Sequence, residues 1–395
     1  MMIIDLREDV GAFRSAIRDW IAQTLPSDWA EVADRGTEDE AVEYQRWWFA
    51  ELAKQGLSVP HWPSEFGGVG LGIAGQMIVA DEMARAGTPP LNVFVVTLNH
   101  LPGTLIPCGN ADQRARYLPA ASKGVVWCQG FSEPGAGSDL ASLRCRAVRD
   151  GDHYVINGQK IWSSMSRFAK HCILLVRTDP NVAKHAGISF LIMDMDTPGL
   201  EVRRIEQIDG QADFSELFLT DVRVPVANLV GAENDGWRVA QATLASERGV
   251  LAFEAGERRR HMLEDYYRNA VAVKAAWLED DEFRRQFMTH LADLQASRRM
   301  IRQLLHDHEN GEAHATTAMA SARIKLFQTT LIQKIAELVA RLEGLDGHLR
   351  QPFNSQRRFV GMFDYLNSFG WTISGGTNEI MRNVIAERDL GLPRG

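Results

Sequence analysis

The feature that most constrains the fold is a change in hydrophobic periodicity along the chain. Near the start, apolar residues recur every three or four positions, as over 10–21 and 44–52, which indicates amphipathic helices. From about Val126 the chain turns to short β-rich runs, and after Gly236 the helical spacing returns, as over 291–305. This order predicts an α+β multidomain protein with a helical domain, a β domain and a helical bundle, at 1–125, 126–235 and 236–395.

Turn signals place the strands of the predicted β domain. The dipeptides Asp150-Gly151 and Asn157-Gly158 both suit the positive φ angles of a tight hairpin, so each is predicted to join two strands. Pro198-Gly199 marks a further break in the middle of the domain. The segments with the strongest strand character are 145–148, 153–156, 173–177, 188–193 and 217–219.

Composition and charge exclude several classes of function. Carboxylates outnumber lysine and arginine, 51 to 43, and the net charge of -8 gives no general attraction for nucleic acid or for an anionic membrane. The chain has no run of about 18 apolar residues, and acidic residues interrupt its first segment, so we expect a cytoplasmic protein without a signal peptide. The four cysteines lack the paired spacing of a zinc site, which predicts reduced thiols and no metal site.

Two short segments carry the chemistry that the sequence suggests. Residues 131–140 read FSEPGAGSDL and follow a probable strand, so small side chains and backbone N–H groups can approach a ligand closely. Residues 158–164 read GQKIWSS and place an indole and two hydroxyls in a pattern that suits a flat heteroaromatic cofactor. Taken singly, a glycine-rich turn is most often a plain loop, and a tryptophan most often belongs to the core.

Together the two segments resemble the acyl-CoA dehydrogenase family, and further matches in family order extend the resemblance over almost the whole chain. The further matches are WPSEFGG at 62–68, GNADQ at 109–113, YLP at 117–119, GGTNEIMRN at 375–383 and ERDLGLP at 387–393. The resemblance implies the family's fold, with a C-terminal four-helix bundle, and FAD bound non-covalently between that bundle and the β domain. It also implies an acyl-CoA substrate, an electron-transfer flavoprotein-type acceptor and a role in lipid metabolism through fatty-acid β-oxidation.

The resemblance assigns roles to single residues. Those implied at the cofactor are Gln129, Phe131, Ser132, Trp162, Ser164 and Thr377. Within this set, Trp162 matches the tryptophan that stacks on the flavin, and Ser164 matches the hydroxyl residue that hydrogen-bonds near flavin N5. Thr377 would lie near the flavin and its phosphates. Ser138 would face the CoA arm of the substrate.

The catalytic base is where this sequence departs from the commonest family pattern. The reaction needs a carboxylate that removes the α proton while hydride leaves the β carbon. In many family members this glutamate directly precedes the Gly-Thr of the C-terminal motif, but that position here is Gly375. A second family arrangement takes the base from a helical Glu-Arg pair, which matches Glu247 and Arg248. We therefore predict Glu247 as the base and Arg248 as a substrate-binding residue.

Helical spacing supports Glu247 independently of the resemblance. Residues three or four positions away share its helical face, and apolar neighbours there would raise the pKa of the carboxyl toward a useful range. These neighbours are Leu244, Val250 and Leu251. The predicted reaction is dehydrogenation of an acyl-CoA to the trans-2-enoyl-CoA. Two alternatives stay open, a non-catalytic or partner-dependent subunit in which Glu247 is merely solvated, and a flavoprotein oxidase or monooxygenase of the same fold.

The complete form of a motif that the family's homotetramers usually carry is missing from this chain. In those proteins the arginine of an Arg-x-x-Phe-Gly segment reaches the FAD pyrophosphate of a neighbouring subunit. Here the corresponding region, 276–287, reads AWLEDDEFRRQF, and its acidic run would repel a pyrophosphate. The chain thus resembles the α subunit of a heteromeric, actinobacterial-type enzyme, in which a second acyl-CoA dehydrogenase-like subunit donates the arginine. A homo-oligomer that uses Arg284 or Arg285 instead stays open.

Overall fold

The computed structural model of the chain describes residues 9–26, 29, 38–246, 250–309, 314–345 and 361–393. Internal contacts divide the chain into two compact units. The helical unit comprises Met1–Tyr44, Leu71–Pro90 and Arg248–Gly395, and the sheet unit comprises Gln45–Gly70 and Leu91–Glu247. The three-domain division at residues 125 and 235 stays a prediction.

Helices precede and follow the strands, as the periodicity predicts. In chain order they are α1 Val10–Thr24, α2 Glu38–Lys54, α3 Ile73–Ala86, α4 Leu101–Cys108, α5 Ala111–Ala121, α6 Gly236–Ser246, α7 Val250–Ala272, α8 Asp281–Glu309, α9 His314–Leu342, α10 Gly361–Ile373 and α11 Asn378–Val384. The apolar repeats at 10–21, 44–52 and 291–305 fall within α1, α2 and α8, so these helical predictions are confirmed. Within the described ranges, no helix is both long and apolar enough to cross a membrane.

The strands of the sheet unit form one sheet. They are β1 Trp127–Gly130, β2 Arg146–Asp150, β3 His153–Ser164, β4 His171–Arg177, β5 Ile188–Asp194, β6 Leu200–Ile205, β7 Phe214–Pro225 and β8 Leu229–Val230. Their order is β6-β7-β3-β2-β4-β5-β8, and β1 pairs in parallel with β4. All seven residues of β4 are buried, as befits a strand in the interior of a sheet that is covered on both faces. All four cysteines are free thiols, and Cys128, Cys145 and Cys172 are buried in the core beneath the sheet.

One of the two predicted hairpin turns is confirmed and the other is wrong. Asp150 pairs with His153 across a tight turn between β2 and β3, and Gly151 has a φ of 62° there. Asn157-Gly158 instead lies inside β3, at a register shift in the pairing of β3 with β7. The Asn157 amide exchanges hydrogen bonds with Asp221 on β7, at 2.9 and 3.0 Å. A Cβ at position 158 would lie 2.8 Å from the Cα of Cys145, so the glycine serves close packing rather than a turn.

The GNADQ segment has a structural role at the start of α5. The Asn110 side chain accepts from the Gln113 backbone N–H at 2.8 Å, and the Gln113 side chain accepts from the Asn110 N–H at 3.1 Å, which forms a capping box. The Gln113 amide also donates to the carbonyls of Ala227 and Leu229 at 3.0 and 2.8 Å. The motif therefore starts the helix and ties it to β8.

A buried ionic network, which the sequence patterns did not reveal, joins helices of the helical unit. Glu82 on α3 has a side chain that is 0% exposed, and its carboxylate contacts the guanidinium groups of Arg14, Arg18 and Arg85 at 2.6 to 3.0 Å. Burial alone would raise the pKa of this carboxyl, but hydrogen bonds from the three arginines outweigh burial and lower the pKa from its ordinary 4.5 to about 2. Glu82 therefore stays ionised and holds α1 against α3.

The network continues from Asp81 to α7 and α8. The Asp81 carboxylate contacts Arg260 and the ring of His261, each at 3.1 Å, and the Glu257 carboxylate contacts Arg260 at 2.7 Å and Arg298 at 2.9 Å. The oxygens of Asp81 and Glu257 and a ring nitrogen of His261 lie within 4.8 Å of one another, a spacing that also suits metal ligands. Because arginines occupy both carboxylates, the group is accounted for as ion pairs.

We expect the substitution Glu82→Gln to destabilise the protein at neutral pH by about 2 kcal/mol, a value discounted because the partner arginines can return to water. The folded-state pKa of Glu82 lies below its unfolded value, so its contribution is present above pH 4.5 and is lost as the pH falls toward 2. Urea unfolding midpoints at several pH values measure the effect. Glu282→Gln, at an exposed i,i+3 pair with Arg285, is the control and should leave the midpoint unchanged. An equally stable Glu82→Gln variant would contradict the assigned role.

We expect Gly158→Ala to lower the free energy of unfolding by about 1–3 kcal/mol, because its Cβ would meet the backbone of Cys145 and the strand would have to shift. Gly370→Ala is the matched control, since position 370 lies in α10 with no heavy atom within 4 Å of the added Cβ. That change should raise stability by up to about 1 kcal/mol through helix propensity. Equal urea midpoints for the two variants would show that the approach to Cys145 is not restrictive.

Candidate functional site

The strand β1 leads directly into the glycine-rich segment in the sheet unit. Gln129 and Gly130 pair in register with Ile173 and Leu174 of β4, and the chain leaves the sheet at Phe131. The Phe131 ring is buried, with its centroid 5.7 Å from that of Phe190 in an edge-on contact. The sheet thus fixes the direction in which residues 131 and 132 emerge.

The end of β3 lies beside this exit. The Ile161 backbone N–H donates to the Ser132 carbonyl at 2.9 Å, which joins the two predicted segments. The next residue, Trp162, has a φ of 61° and is 52% exposed. A left-handed conformation costs a non-glycine residue roughly 1–3 kcal/mol, and such strain is concentrated at functional sites. The sequence-based placement of Trp162 next to the 129–132 edge is consistent with this geometry.

A buried ion pair, which sequence reasoning missed, holds the same two segments. Lys160 on β3 is 0% exposed, and its ammonium donates to the Glu133 carboxylate at 2.8 Å and to the Phe131 carbonyl at 3.1 Å. Lysine is seldom buried without a paired charge, so burial at this position requires the Glu133 carboxylate nearby. Nothing in the local pattern GQKIWSS distinguishes a buried lysine from an exposed one, since the strand alternates and its register was unknown.

The turn that follows, 134–138, is exposed apart from Ala136, which is buried. Glu133 and Ala136 exchange backbone hydrogen bonds at 3.0 Å in both directions, which closes the turn. A Cβ added at Gly135 or Gly137 would have no heavy atom within 4 Å, so the surface here is open. Ser138 is exposed at its end. Gly135, Gly137 and Ser138 are therefore exposed, and their contact with a ligand stays a prediction.

The GGT turn lies in the helical unit. Gly375 and Gly376 have φ angles of 63° and 90°, and the Thr377 hydroxyl accepts the Ile380 N–H at 3.2 Å as the N-cap of α11. The Asn378 side chain accepts from Lys325 and from the Thr329 hydroxyl of α9, both at 2.9 Å. The turn is therefore anchored on α9, and position 375 offers no carboxylate.

The predicted base and its neighbour, Glu247 and Arg248, lie outside the described residues, and their roles stay predictions. Helix α6 ends at Ser246, and α7 begins at Val250. Upstream, the buried hydroxyls of Thr243 on α6 and Thr104 on α4 are hydrogen-bonded at 2.7 Å. This contact fixes the described end of α6 within the sheet unit.

The residues of the sheet unit suit a flat cofactor that has hydrogen-bonding edges. Trp162 offers an exposed aromatic face on one of the two joined segments. On these segments and the turn that follows β3, buried polar atoms of Gln129, Ser163 and Ser166 have no hydrogen-bond partner within the described part of the chain. Buried polar atoms without partners are rare in folded proteins, so an aromatic ligand that hydrogen-bonds at its edge fits this donor and acceptor set.

The comparisons with known proteins agree along the chain. Residues 7–125 match the acyl-CoA dehydrogenase N-terminal domain, 128–222 the middle domain and 234–390 the C-terminal domain. The chain is similar to acyl-CoA dehydrogenase IpdE1 of Mycobacterium tuberculosis, with 38% identity over 98% of this chain and 99% of the relative. It is also similar to acyl-CoA dehydrogenase FadE29 of the same species, with 33% identity over 100% of this chain and 99% of the relative.

Two solved structures share the fold along their full length. The Tcur3481-Tcur3483 steroid ACAD has a TM-score of 0.85 and 32% identity, over 99% of this chain and 100% of that chain. The ChsE4-ChsE5 complex from Mycobacterium tuberculosis has a TM-score of 0.80 and 30% identity, over 100% of both chains. Domain matches along the sequence, relatives above 30% identity and a common fold lead to one assignment. The chain belongs to the acyl-CoA dehydrogenase family of FAD-dependent oxidoreductases.

Proposed function

We propose that the protein converts an acyl-CoA to the trans-2-enoyl-CoA, with Glu247 as the base that removes the α proton. A bound FAD would supply the acceptor, the flavin N5 atom, for the hydride that leaves the β carbon. The observation that carries the proposal is the strained, half-exposed Trp162 beside the 129–132 edge, on a chain of this family. The exposed Trp162 face beside the 129–132 edge supports a flavin-binding site, and so a flavin-dependent dehydrogenase, more directly than it supports a purely structural role for these residues.

Each residue of the proposed site has a distinct task. Those that hold the cofactor are Gln129, Phe131, Ser132, Trp162, Ser164 and Thr377. Trp162 covers one face of the ring and keeps water away, which strengthens the electrostatic interactions of the site. The Ser164 hydroxyl donates at the reactive edge. Ser138 binds the CoA arm on the open turn, where small neighbours permit close approach.

Glu247 is the proposed base because Gly375, at the family's other position for the base, has no carboxylate. Gly375 occupies the place that precedes Gly-Thr, so the C-terminal motif offers no proton acceptor there. The carboxylate of Glu247 accepts the α proton, and Arg248 contacts the substrate as its neighbour in sequence. A base at Glu247, in the Glu-Arg pair, favours the dehydrogenase over a non-catalytic subunit.

The acyl group is proposed to be bulky and polycyclic, of the steroid type. One solved structure that shares the fold over 99% of this chain is described as a steroid ACAD. The absence of a side chain at Gly375 agrees with the long or branched substrates that accompany this arrangement of the base in the family. Straight-chain acyl-CoAs are then poorer substrates.

The assembly is proposed to be heteromeric, with a second acyl-CoA dehydrogenase-like subunit and an electron-transfer flavoprotein-type acceptor. Arg284 and Arg285, the cations nearest the missing motif, pair with Asp281 and Glu282 of their own helix. The acidic run at 279–282 beside these arginines would repel a neighbour's pyrophosphate, which favours the heteromer over a homo-oligomer that uses either arginine. Two structures with the same fold are named for a pair of proteins, Tcur3481-Tcur3483 and ChsE4-ChsE5.

We expect Glu247→Gln to retain flavin and to lower turnover by about 10²–10⁴-fold, the usual cost of losing an acid or base. The assay is anaerobic flavin bleaching by steroid-type and straight-chain acyl-CoAs, on the complex purified from its native host with the tagged chain. Asp265→Asn is the control, because Asp265 is exposed and forms an exposed pair with Arg268 on α7. An unchanged bleaching rate in Glu247→Gln would move the base elsewhere. Faster bleaching by straight-chain substrates would refute the steroid-type assignment alone.

The expected stoichiometry tests the assembly separately. The chain expressed alone should bind less than one FAD per chain, and the native complex should contain a second family member with one FAD for each pair of chains. Mass measurement in solution and flavin quantitation provide both values. A homo-oligomer of this chain with one tightly bound FAD per chain would contradict the heteromer.

A further inference from the structure

Lys160 is buried where an ammonium group is costly. It lies on β3 and pairs in register with Leu217 of β7, and its side chain is 0% exposed. Its stem passes near Gly130, where an added Cβ would lie 3.5 Å from the Lys160 Cγ and 2.6 Å from a methyl group of Leu174. The aliphatic part of the side chain therefore runs from β3 toward the end of β1, and the ammonium group lies where the chain leaves that strand.

The ammonium and its partner carboxylate each also bind main-chain groups. Lys160 donates to the Phe131 carbonyl at 3.1 Å and to the Glu133 carboxylate at 2.8 Å. The same carboxylate accepts the backbone N–H groups of Arg144 and Cys145 at 2.6 and 2.8 Å. The pair thus connects three separate stretches of chain, the exit of β1, the approach to β2 and the middle of β3.

Three hydrogen bonds from Lys160 and Ile161 hold the successive residues 131, 132 and 133, and this set of contacts is called the clasp below. Lys160 holds the carbonyl of Phe131, the Ile161 N–H holds the carbonyl of Ser132, and Lys160 also holds the side chain of Glu133. Because Trp162 follows directly, the clasp couples the position of the 131–132 edge to that of the indole. A displacement of residues 131–133 would therefore also displace Trp162, because Ile161 bonds to the first segment and directly precedes the indole.

Stability alone does not account for the pair. A buried ion pair often contributes no more than well-packed apolar residues of similar volume, because desolvation offsets the attraction between the charges. What such residues would not supply is a donor for the Phe131 carbonyl or acceptors for the two N–H groups of the approach to β2. The distinctive contribution of the pair is therefore geometric.

We propose that Lys160 and Glu133 are positioning residues that hold the 131–132 edge and Trp162 in register for the isoalloxazine ring of FAD. The inference rests on the flavin site proposed above and extends it to two residues that do not themselves contact the reacting atoms. Groups that hold a ligand-binding segment in place commonly affect affinity and rate by large factors, because small displacements at a reaction site are costly.

The test compares Lys160→Met with the double variant Lys160→Met/Glu133→Gln. The single change leaves a buried carboxylate without its cation and is expected to unfold readily. The double change removes both charges, keeps an acceptor for one main-chain N–H, and still lacks the donor to Phe131. Arg223→Met is the matched control, because its pair with Asp150 is exposed in the same sheet unit.

We expect the double variant, in the native complex, to unfold at a lower urea midpoint than wild type, because the Phe131 carbonyl and one main-chain N–H lose their partners, but to stay folded without urea. Without urea it should bind FAD about 10- to 100-fold more weakly, the range that loss of groups orienting metal ligands typically costs. Its visible flavin absorption band and flavin reduction potential should also shift, which a purely structural residue would not cause. The control should match wild type in all three measurements. FAD titration of the apo complex, absorption spectra and redox titration provide the values.

Two results with the double variant would overturn the proposal. A double variant with wild-type FAD affinity, spectrum and potential would show that the clasp does not position the cofactor. A loss of FAD affinity that follows the loss of folded protein in proportion would make the pair structural only. A wild-type complex that binds no flavin would overturn the proposed function itself and this role with it, so the two failures are distinguishable.

Discussion

The pairing of β3 with its neighbours is the constraint on which the proposed site depends. Over twelve residues this strand pairs with β2 at one end, follows β7 along its length and receives the exit of β1 near its far end. Gly158 allows β3 to approach Cys145, which no residue with a Cβ could do without a shift. Lys160 and Ile161 then hold residues 131–133, and Trp162 leaves the strand in a strained conformation. All of these contacts depend on the register in which β3 pairs with β2 and β7.

Charge is buried in both units, but it serves different ends. In the helical unit, Asp81, Glu82 and Glu257 are neutralised by five arginines, so helices that would otherwise expose polar faces can pack together. In this network the arginine side chains are partly exposed, whereas the carboxylates that they contact are buried. In the sheet unit Lys160 pairs with Glu133, and main-chain groups add three hydrogen bonds to the pair. The first arrangement joins helices, whereas the second holds a short piece of chain.

Local sequence signals succeeded where the local chain decides the structure. Helical periodicity survives in α1, α2 and α8 because the burial of one face is a property of the helix itself. The Asp150-Gly151 turn formed because two flanking strands are adjacent in sequence. Asn157-Gly158 carries the same local signal, yet the pairing of β3 with β7, whose partner residues lie some sixty positions away, overrode it. Edge strand β6 was missed because Glu201, Arg203 and Arg204 interrupt its apolar pattern.

The sequence by itself determined the order of helical and β regions, the family and the residue types available for a flavin and a base. These follow from periodicity and from motifs whose members are close in sequence. Only the tertiary structure decided that Lys160 is buried against Glu133, that Glu82 gathers three arginines, and that Trp162 is exposed beside Ser132. A charged residue on a strand or a helix has the same local pattern whether it points to water or inward. The choice is made by partners that are distant in sequence, since a buried charge is tolerated only where folding brings the opposite charge and the remaining hydrogen-bond partners to it.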